Sequence, residues 1–167
     1  VMLRAEAIAL DSKSPIGERS DAVRCIATAR FPQSLHAIAS LVRSDVPLDL
    51  RREAIRALGS FDGTEPPRII LGAWKAIPEE LKAESAGLLT SRNDWAEALL
   101  HAIADETITR TDLSAAAAQR IAAFKDPQLT AKLEKTWGSV RQQTPAEIDD
   151  LLKRMRRVVV SGKGDAE

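Results

Sequence analysis

A small residue and a branched apolar residue, four positions apart, recur along the chain at a nearly constant interval. The four pairs are Ala22 and Ile26, Ala54 and Leu58, Ser85 and Leu89, and Ala117 and Ile121. The first members of these pairs lie 32, 31 and 32 residues apart. A fixed period of this length is typical of helical-repeat proteins, whose repeats bury equivalent faces against their neighbours. We therefore expect Leu58, Leu89 and Ile121 to be buried at equivalent positions.

Apolar residues at helical spacing, separated by proline and glycine breaks, predict an all-α protein built from helical hairpins. The four hairpins are predicted over residues 16–43, over residues 47–76, from Pro78 with a second helix from Asn93, and from Thr111 or Asp112 to Phe124 with a restart at Asp126. The expected fold is a right-handed α-helical solenoid with an extra helix at each end.

The two ends of the chain differ from the repeats between them. Residues 1–10 read as a short helix, which we interpret as half of a repeat in a piece of a longer protein. Thr144 and Glu147 have capping-box spacing, and an apolar stripe follows them, so residues 145–160 are predicted to form a helix that caps the array. A domain over residues 1–160 and a linker starting at residues 161–167 are therefore expected.

Composition and charge limit the classes of partner. The 167 residues are 44% hydrophobic, enough to bury a continuous core, and only 4% aromatic. Lys plus Arg number 24 and Asp plus Glu also number 24, so no global field attracts a phosphate backbone, and we expect no nucleic-acid partner. No apolar run approaches the length of about 20 residues that spans a bilayer, and no membrane contact is expected.

The residues that commonly carry chemistry are few and scattered. Cys25 is the one cysteine, and its place on a predicted helix predicts a buried, inert thiol. His36 and His101 are the only histidines, and neither has a second ligand at metal-binding spacing. We predict no catalytic residue, no metal ligand and no cofactor-binding residue in this chain.

Cationic side chains provide the candidate interaction surface. Arg24 and Arg56 occupy equivalent repeat positions, each three residues after an acid, Asp21 and Glu53. They are either a ladder of guanidinium groups that faces a ligand or acid–arginine pairs on exposed helix faces, and the second interpretation is favoured. Gly87 interrupts the series in the third repeat. The remaining candidates form a basic cluster on the last predicted helix: Lys153, Arg154, Arg156 and Arg157.

Two resemblances add to this interpretation. The paired helices on a period near thirty resemble short HEAT-type repeats. Residues 125–129, 133–141 and 144–147 (KDPQL, LEKTWGSVR and TPAE) resemble the stretch before the haem domain in planctomycete-type membrane-bound dehydrogenase or putative haem-binding proteins. That family implies an upstream dehydrogenase-like β-propeller, a downstream c-type cytochrome with haem c, and a location in the cell envelope or periplasm. This chain contains no Cys-x-x-Cys-His, so the resemblance assigns no haem-binding residue here.

Two functions follow as hypotheses. The first is a non-catalytic scaffold or protein-interaction module, whose partners are other domains of the same polypeptide or another protein. The alternative is a HEAT-like DNA-binding or DNA-glycosylase-type solenoid. The balanced charge and the lack of a basic stripe favour the scaffold.

Overall fold

The structure of the protein is a computed structural model, which describes residues 2–43 and 45–138. Over these ranges the chain is all-α, as predicted, and contains no strand. The helices are α1 (Met2–Leu10), α2 (Ile16–Ala29), α3 (Leu35–Arg43), α4 (Leu48–Leu58), α5 (Glu65–Ala73), α6 (Glu79–Leu89), α7 (Asn93–Ala104), α8 (Ala115–Ala123) and α9 (Pro127–Thr136). Short 3-10 turns cover Pro32–Ser34, Trp74–Ala76 and Arg110–Asp112. The predicted helix over residues 145–160 and the domain boundary at residue 160 lie outside the described residues.

Two kinds of residue start the helices. Pro15, Pro47 and Pro78 precede α2, α4 and α6, with φ angles of −55°, −51° and −56°. The pyrrolidine ring fixes φ near these values, so each proline holds the chain extended just before the helix. The later helices have side-chain caps instead. Ser114 accepts a hydrogen bond from the Ala117 N–H, and Asp126 accepts two from the first turn of α9.

The predicted start of the fourth hairpin at Thr111 or Asp112 is wrong. Residues 110–112 form a 3-10 turn, and α8 begins at Ala115 after its cap, Ser114. The Asp112 carboxylate accepts a hydrogen bond from the Trp74 indole at 2.9 Å, so it is turned towards an earlier part of the chain. Ser114 is the first residue whose side chain bonds the backbone of α8.

Helices separated by one in the sequence pack against each other. The odd-numbered helices make a continuous series of contacts, from α1 to α3, α5, α7 and α9. Among the even-numbered helices, α2 contacts α4, and α4 contacts α6. Further contacts join α1 with α2, α3 with α4, α6 with α7, and α8 with α9. From α1 to α5, and again at α7, each helix therefore packs on the one after next as well as on a sequence neighbour.

The recurring apolar positions lie in the core, as expected. Leu58, Leu89 and Ile121 are each 0% exposed, and so is Ile26 in the first repeat. The small residues four positions earlier are also buried: Ala22, Ala54, Ser85 and Ala117. A small side chain allows a neighbouring helix to approach closely, and the branched side chain fills the space beside it. The equivalence that was read from the period is confirmed for burial.

The tryptophans combine core packing with a directed hydrogen bond. Trp74 and Trp95 are buried, and Trp137 is half-buried against the core. The Trp95 indole N–H donates to the Gly63 carbonyl at 3.0 Å, and that of Trp137 donates to Leu113 at 3.1 Å. A buried indole needs such an acceptor, because an unpaired N–H away from water is costly.

The prediction that Cys25 is buried is wrong, because the side chain is exposed. The buried face of α2 contains Ala22, Val23 and Ile26. At about 100° per residue these three span a narrow arc, and position 25 falls well outside it. The thiol therefore faces solvent.

Candidate interaction surface

Arg24 and Arg56 lie on neighbouring even-numbered helices, α2 and α4, with side chains 57% and 58% exposed. The structure places one acid, Glu53, between them. The Arg24 Nη1 lies 3.6 Å from the Glu53 Oε1, and the charge of Glu53 also acts on Arg56. The two arginines therefore belong to one surface, which Glu53 joins.

These contacts form what we call the ion-pair ribbon, which runs over α2, α4 and α6. It consists of Asp21, Arg24, Asp49, Arg52, Glu53, Arg56 and Glu84. Glu84 on α6 bridges two arginines of α4. Its Oε1 lies 2.5 Å from the Arg56 Nε, and its Oε2 lies 3.5 Å from the Arg52 Nε. The ribbon thus links α2 with α4 and α4 with α6.

The expected pairing of Arg56 with Glu53 is only partly right. Arg24 does pair with Asp21 within α2, as predicted. Arg56 instead forms its ion pair with Glu84 of α6, while Glu53 pairs with Arg24 of α2. The hydrogen bond and charge of Glu84 raise the pKa of Arg56 above its usual value. Packing between helices brings a better-placed carboxylate than the one on the same helix.

The ribbon is not a free cationic surface. Its four carboxylates outnumber its three guanidinium groups, so its formal charge is −1. Each arginine already donates to an acid, and exposed pairs of this kind contribute about 0.2–1 kcal/mol each. Where Gly87 interrupts the series, Arg120 of α8 fills the place, with its Nη1 3.1 Å from where a Cβ of residue 87 would stand. This geometry favours the structural interpretation of the arginine ladder.

A second polar junction lies between the end of α5, α6 and the turn at Arg110–Asp112. Asp112 accepts from the Trp74 indole, and its Oδ1 lies 3.7 Å from the Lys82 Nζ. Burial alone would raise the pKa of Asp112. Hydrogen bonds from Trp74 and Thr109, with the charge of Lys82, outweigh burial and hold the pKa below its ordinary value.

A third cluster joins α7 and α9. Lys132 of α9 donates to the Glu97 carboxylate of α7, and its Nζ lies 3.3 Å from the His101 Nε2. The hydrogen bond from Lys132, followed by its charge, lowers the pKa of Glu97. The cluster borders an open cleft of about 510 Å³ between the ends of these helices.

The two histidines stay apart. His36 is exposed on α3, and His101 lies on α7. Over residues 2–43 and 45–138, no three His, Cys, Asp or Glu side chains form a group able to hold a metal ion. In the same ranges, no helix is long and apolar enough to cross a membrane. The basic cluster of Lys153, Arg154, Arg156 and Arg157 lies outside the described residues.

Sequence reasoning missed a set of buried cations. Arg19 and Arg51 are only 5% and 7% exposed, and they occupy the position three residues before Ala22 and Ala54. The Arg19 Nε donates to the Ala9 carbonyl at 3.0 Å, and the Arg51 Nη1 donates to the Ala76 carbonyl at 2.9 Å. Lys82, which is only half-buried, occupies the next equivalent position. This series could have been found from the sequence, because a cation recurs after 32 residues and again after 31.

Arg92 is a further cation for which the sequence pattern predicted no role. Its guanidinium donates to the Gly59 and Phe61 carbonyls, both at 3.0 Å, and pairs with Asp62. It also lies over the Trp95 ring, 4.6 Å from the ring centre. Arg92 therefore satisfies carbonyls beyond the end of α4 and fixes α7 beside them.

Comparison with known proteins finds no protein-family model, no curated protein and no solved structure that matches this chain.

Proposed function

We propose that this chain is a non-catalytic helical-repeat scaffold with the architecture of a right-handed, HEAT-like solenoid. The observation that carries the proposal is the equivalent burial of Ile26, Leu58, Leu89 and Ile121, one in each successive hairpin. Buried residues at a constant interval are what a stack of like units requires. Contacts between each odd-numbered helix and the next support the same arrangement.

The polar contacts supply a second line of support. The ion-pair ribbon and the Lys82–Asp112 pair both cross from one hairpin to a neighbouring one. Contacts of this kind add modestly to the core packing in favouring one rotation between neighbouring hairpins, because a slip would separate charged partners. A stack held in one register acts as a spacer of defined length, which is how a solenoid positions whatever is attached to it.

We further propose that the scaffold links a dehydrogenase-like β-propeller to a c-type cytochrome domain in a larger protein of the cell envelope. The support is the resemblance of residues 125–129, 133–141 and 144–147 to the family described above. The partners are then domains of the same polypeptide. The ribbon arginines are already paired with carboxylates, so no observation favours the DNA-binding alternative.

The coding sequence around this chain tests the linking role. We expect a propeller upstream and a Cys-x-x-Cys-His motif within a few dozen codons downstream of Glu167. We also expect the isolated chain to show no haem absorbance after expression with a haem-attachment system, because covalent attachment requires two thiols. Flanking regions without these domains would refute the linking role and leave the scaffold architecture to be judged separately.

A further inference from the structure

An open cleft of about 480 Å³ lies between the α1–α2 connection and the chain that leads from α3 into α4. Leu10, Ile16, Leu41 and Val46 give it an apolar wall. Leu10 and Ile16 are 44% and 48% exposed, so apolar surface continues to the rim. The one guanidinium that lines it is Arg19.

Arg19 is an unusual side chain for such a place. It is 5% exposed, yet the Ala9 carbonyl is the one hydrogen-bond acceptor that the described part of the chain offers it. No described carboxylate lies within ion-pair distance of its guanidinium. A guanidinium has five N–H donors, and buried charges are normally paired. Arg19 thus lines the cleft, and among the described residues only its Nε has a hydrogen-bond partner.

The next two repeats show which groups contact the cation equivalent to Arg19. Arg51, the equivalent of Arg19, donates to the Ala76 carbonyl in the connection after α5. Lys82, the next equivalent, faces the Asp112 carboxylate, and Leu113 beside Asp112 is buried. An oxygen from a following connection thus reaches the cation in both cases. In the first repeat, the described part of the corresponding connection (Asp45, Val46 and Pro47) lines the cleft together with Arg19.

We propose that this cleft is a carboxylate-binding subsite for an acidic peptide segment, in which an Asp or Glu side chain bonds Arg19 and the next, branched apolar residue packs between Leu10, Ile16 and Val46. The Asp112–Leu113 pair docked beside Lys82 is the molecule's own precedent for this recognition. Bidentate pairing with a carboxylate matches the planar guanidinium and supplies the missing acceptors.

Charge and shape select the occupant. Asp45 on the cleft wall repels any anion, and it repels a multiply charged one such as phosphate more strongly than a single carboxylate. A single carboxylate flanked by apolar atoms fits one guanidinium and an apolar wall. The inference rests on the proposed function in one respect only: it takes the ligand of the cleft to be a segment of a protein. Its test is separate from the coding-sequence test above, so either proposal can fail alone.

The test uses the full chain, labelled with ¹⁵N, and a blocked Thr-Asp-Leu-Ser peptide copied from residues 111–114. We expect progressive shifts of the Ser12, Ser14 and Ile16 amides and of the Arg19 Nε–Hε signal. The matched Thr-Asn-Leu-Ser peptide is expected to bind at least about tenfold more weakly, because it loses a charge-assisted hydrogen bond. Equal affinity for the two peptides, or no shift at millimolar peptide, would overturn the proposal.

Variants distinguish binding at the subsite from a general electrostatic attraction between the peptide and the protein. Arg19→Gln is expected to weaken binding of the Asp peptide at least about tenfold. Arg24→Gln, on the same helix, is expected to weaken it by less than about twofold. If Arg19→Gln does not fold, Ile16→Glu serves instead, since it places a repelling charge at an exposed rim position. Unchanged affinity in Ile16→Glu overturns the proposal. Sodium phosphate that produces the same shifts at equal concentration overturns the assignment to a peptide carboxylate.

Discussion

Replacing Leu58 with Ala probes the repeating core most sharply, because α4 itself supplies a matched control. Leu58 ends α4 and is 0% exposed, whereas Leu48 begins the same helix and is 38% exposed. Both changes remove the same atoms and have the same effect on helix propensity. The difference between the two variants therefore isolates the burial of position 58.

The magnitude follows from the burial. Leu to Ala removes three carbon atoms, each worth about 0.8 kcal/mol when fully buried, which gives about 2.4 kcal/mol. The enclosed cavity adds to this, so the expected loss in the free energy of unfolding for Leu58→Ala is about 2–5 kcal/mol. Leu48→Ala leaves no enclosed cavity at a partly exposed site, and a loss of about 1 kcal/mol or less is expected.

Urea unfolding followed by circular dichroism at 222 nm measures both variants. The slope of the unfolding free energy against urea is expected to stay constant, which shows that the same surface is exposed on unfolding. Leu89→Ala, at the equivalent position in the next repeat, is expected to match Leu58→Ala within about 1 kcal/mol. Equal losses at positions 48 and 58 would refute the burial reasoning, and a small loss at position 89 would refute the equivalence.

Three further predictions concern single residues. Gly63 has φ = +89°, so Gly63→Ala is expected to lower the unfolding free energy by about 1–2 kcal/mol. Gly17 has open space where a Cβ would stand, so Gly17→Ala should be neutral or stabilising by up to about 1 kcal/mol in the same urea assay. The folded-state pKa of Asp112 lies below its ordinary value, so its ionised form stabilises the fold above the unfolded-state pKa, and that stability is lost as pH falls through the folded-state pKa. Asp112→Asn should therefore flatten the fall in melting temperature on acidification. The exposed Cys25 thiol should react with a thiol-specific reagent in the native protein as fast as after unfolding.

Each of these has a clear contrary result. A Gly63→Ala variant as stable as Gly17→Ala would show that the positive φ is not required. An unchanged acid profile in Asp112→Asn would mean that the junction with Trp74 and Lys82 does not depend on charge. If the Cys25 thiol reacted only after unfolding, the side chain would be buried in the native protein.

The helices themselves were largely predictable from the sequence. Apolar spacing and proline positions gave the hairpins, because both act within one helix or one turn. Cys25 was misplaced because the buried arc of α2 is narrow, and only the packing of neighbouring helices defines its edges. The start of α8 was misplaced because Asp112 bonds Trp74, 38 residues away, instead of capping a helix.

The candidate surface was harder to predict. Spacing within a helix indicated the Arg24–Asp21 pair, whereas the Arg56–Glu84 pair depends on the rise and rotation between hairpins, which no local spacing reveals. The buried Arg19 was overlooked because charged residues are rarely buried, although its recurrence at Arg51 was visible. That Arg19 forms no ion pair with any described residue can be seen only in the folded molecule.

The central claim is that the described helices form one rigid spacer, and a distance between its two ends tests this most directly. Cys25 on α2 is exposed and is the only native cysteine, so spin labels at Cys25 and at Ala131→Cys on α9 report one distance by pulsed electron paramagnetic resonance. The account predicts a single narrow distribution that is unchanged when the buffer salt is raised, because the core holds the stack. A broad distribution, or several distances, would contradict it.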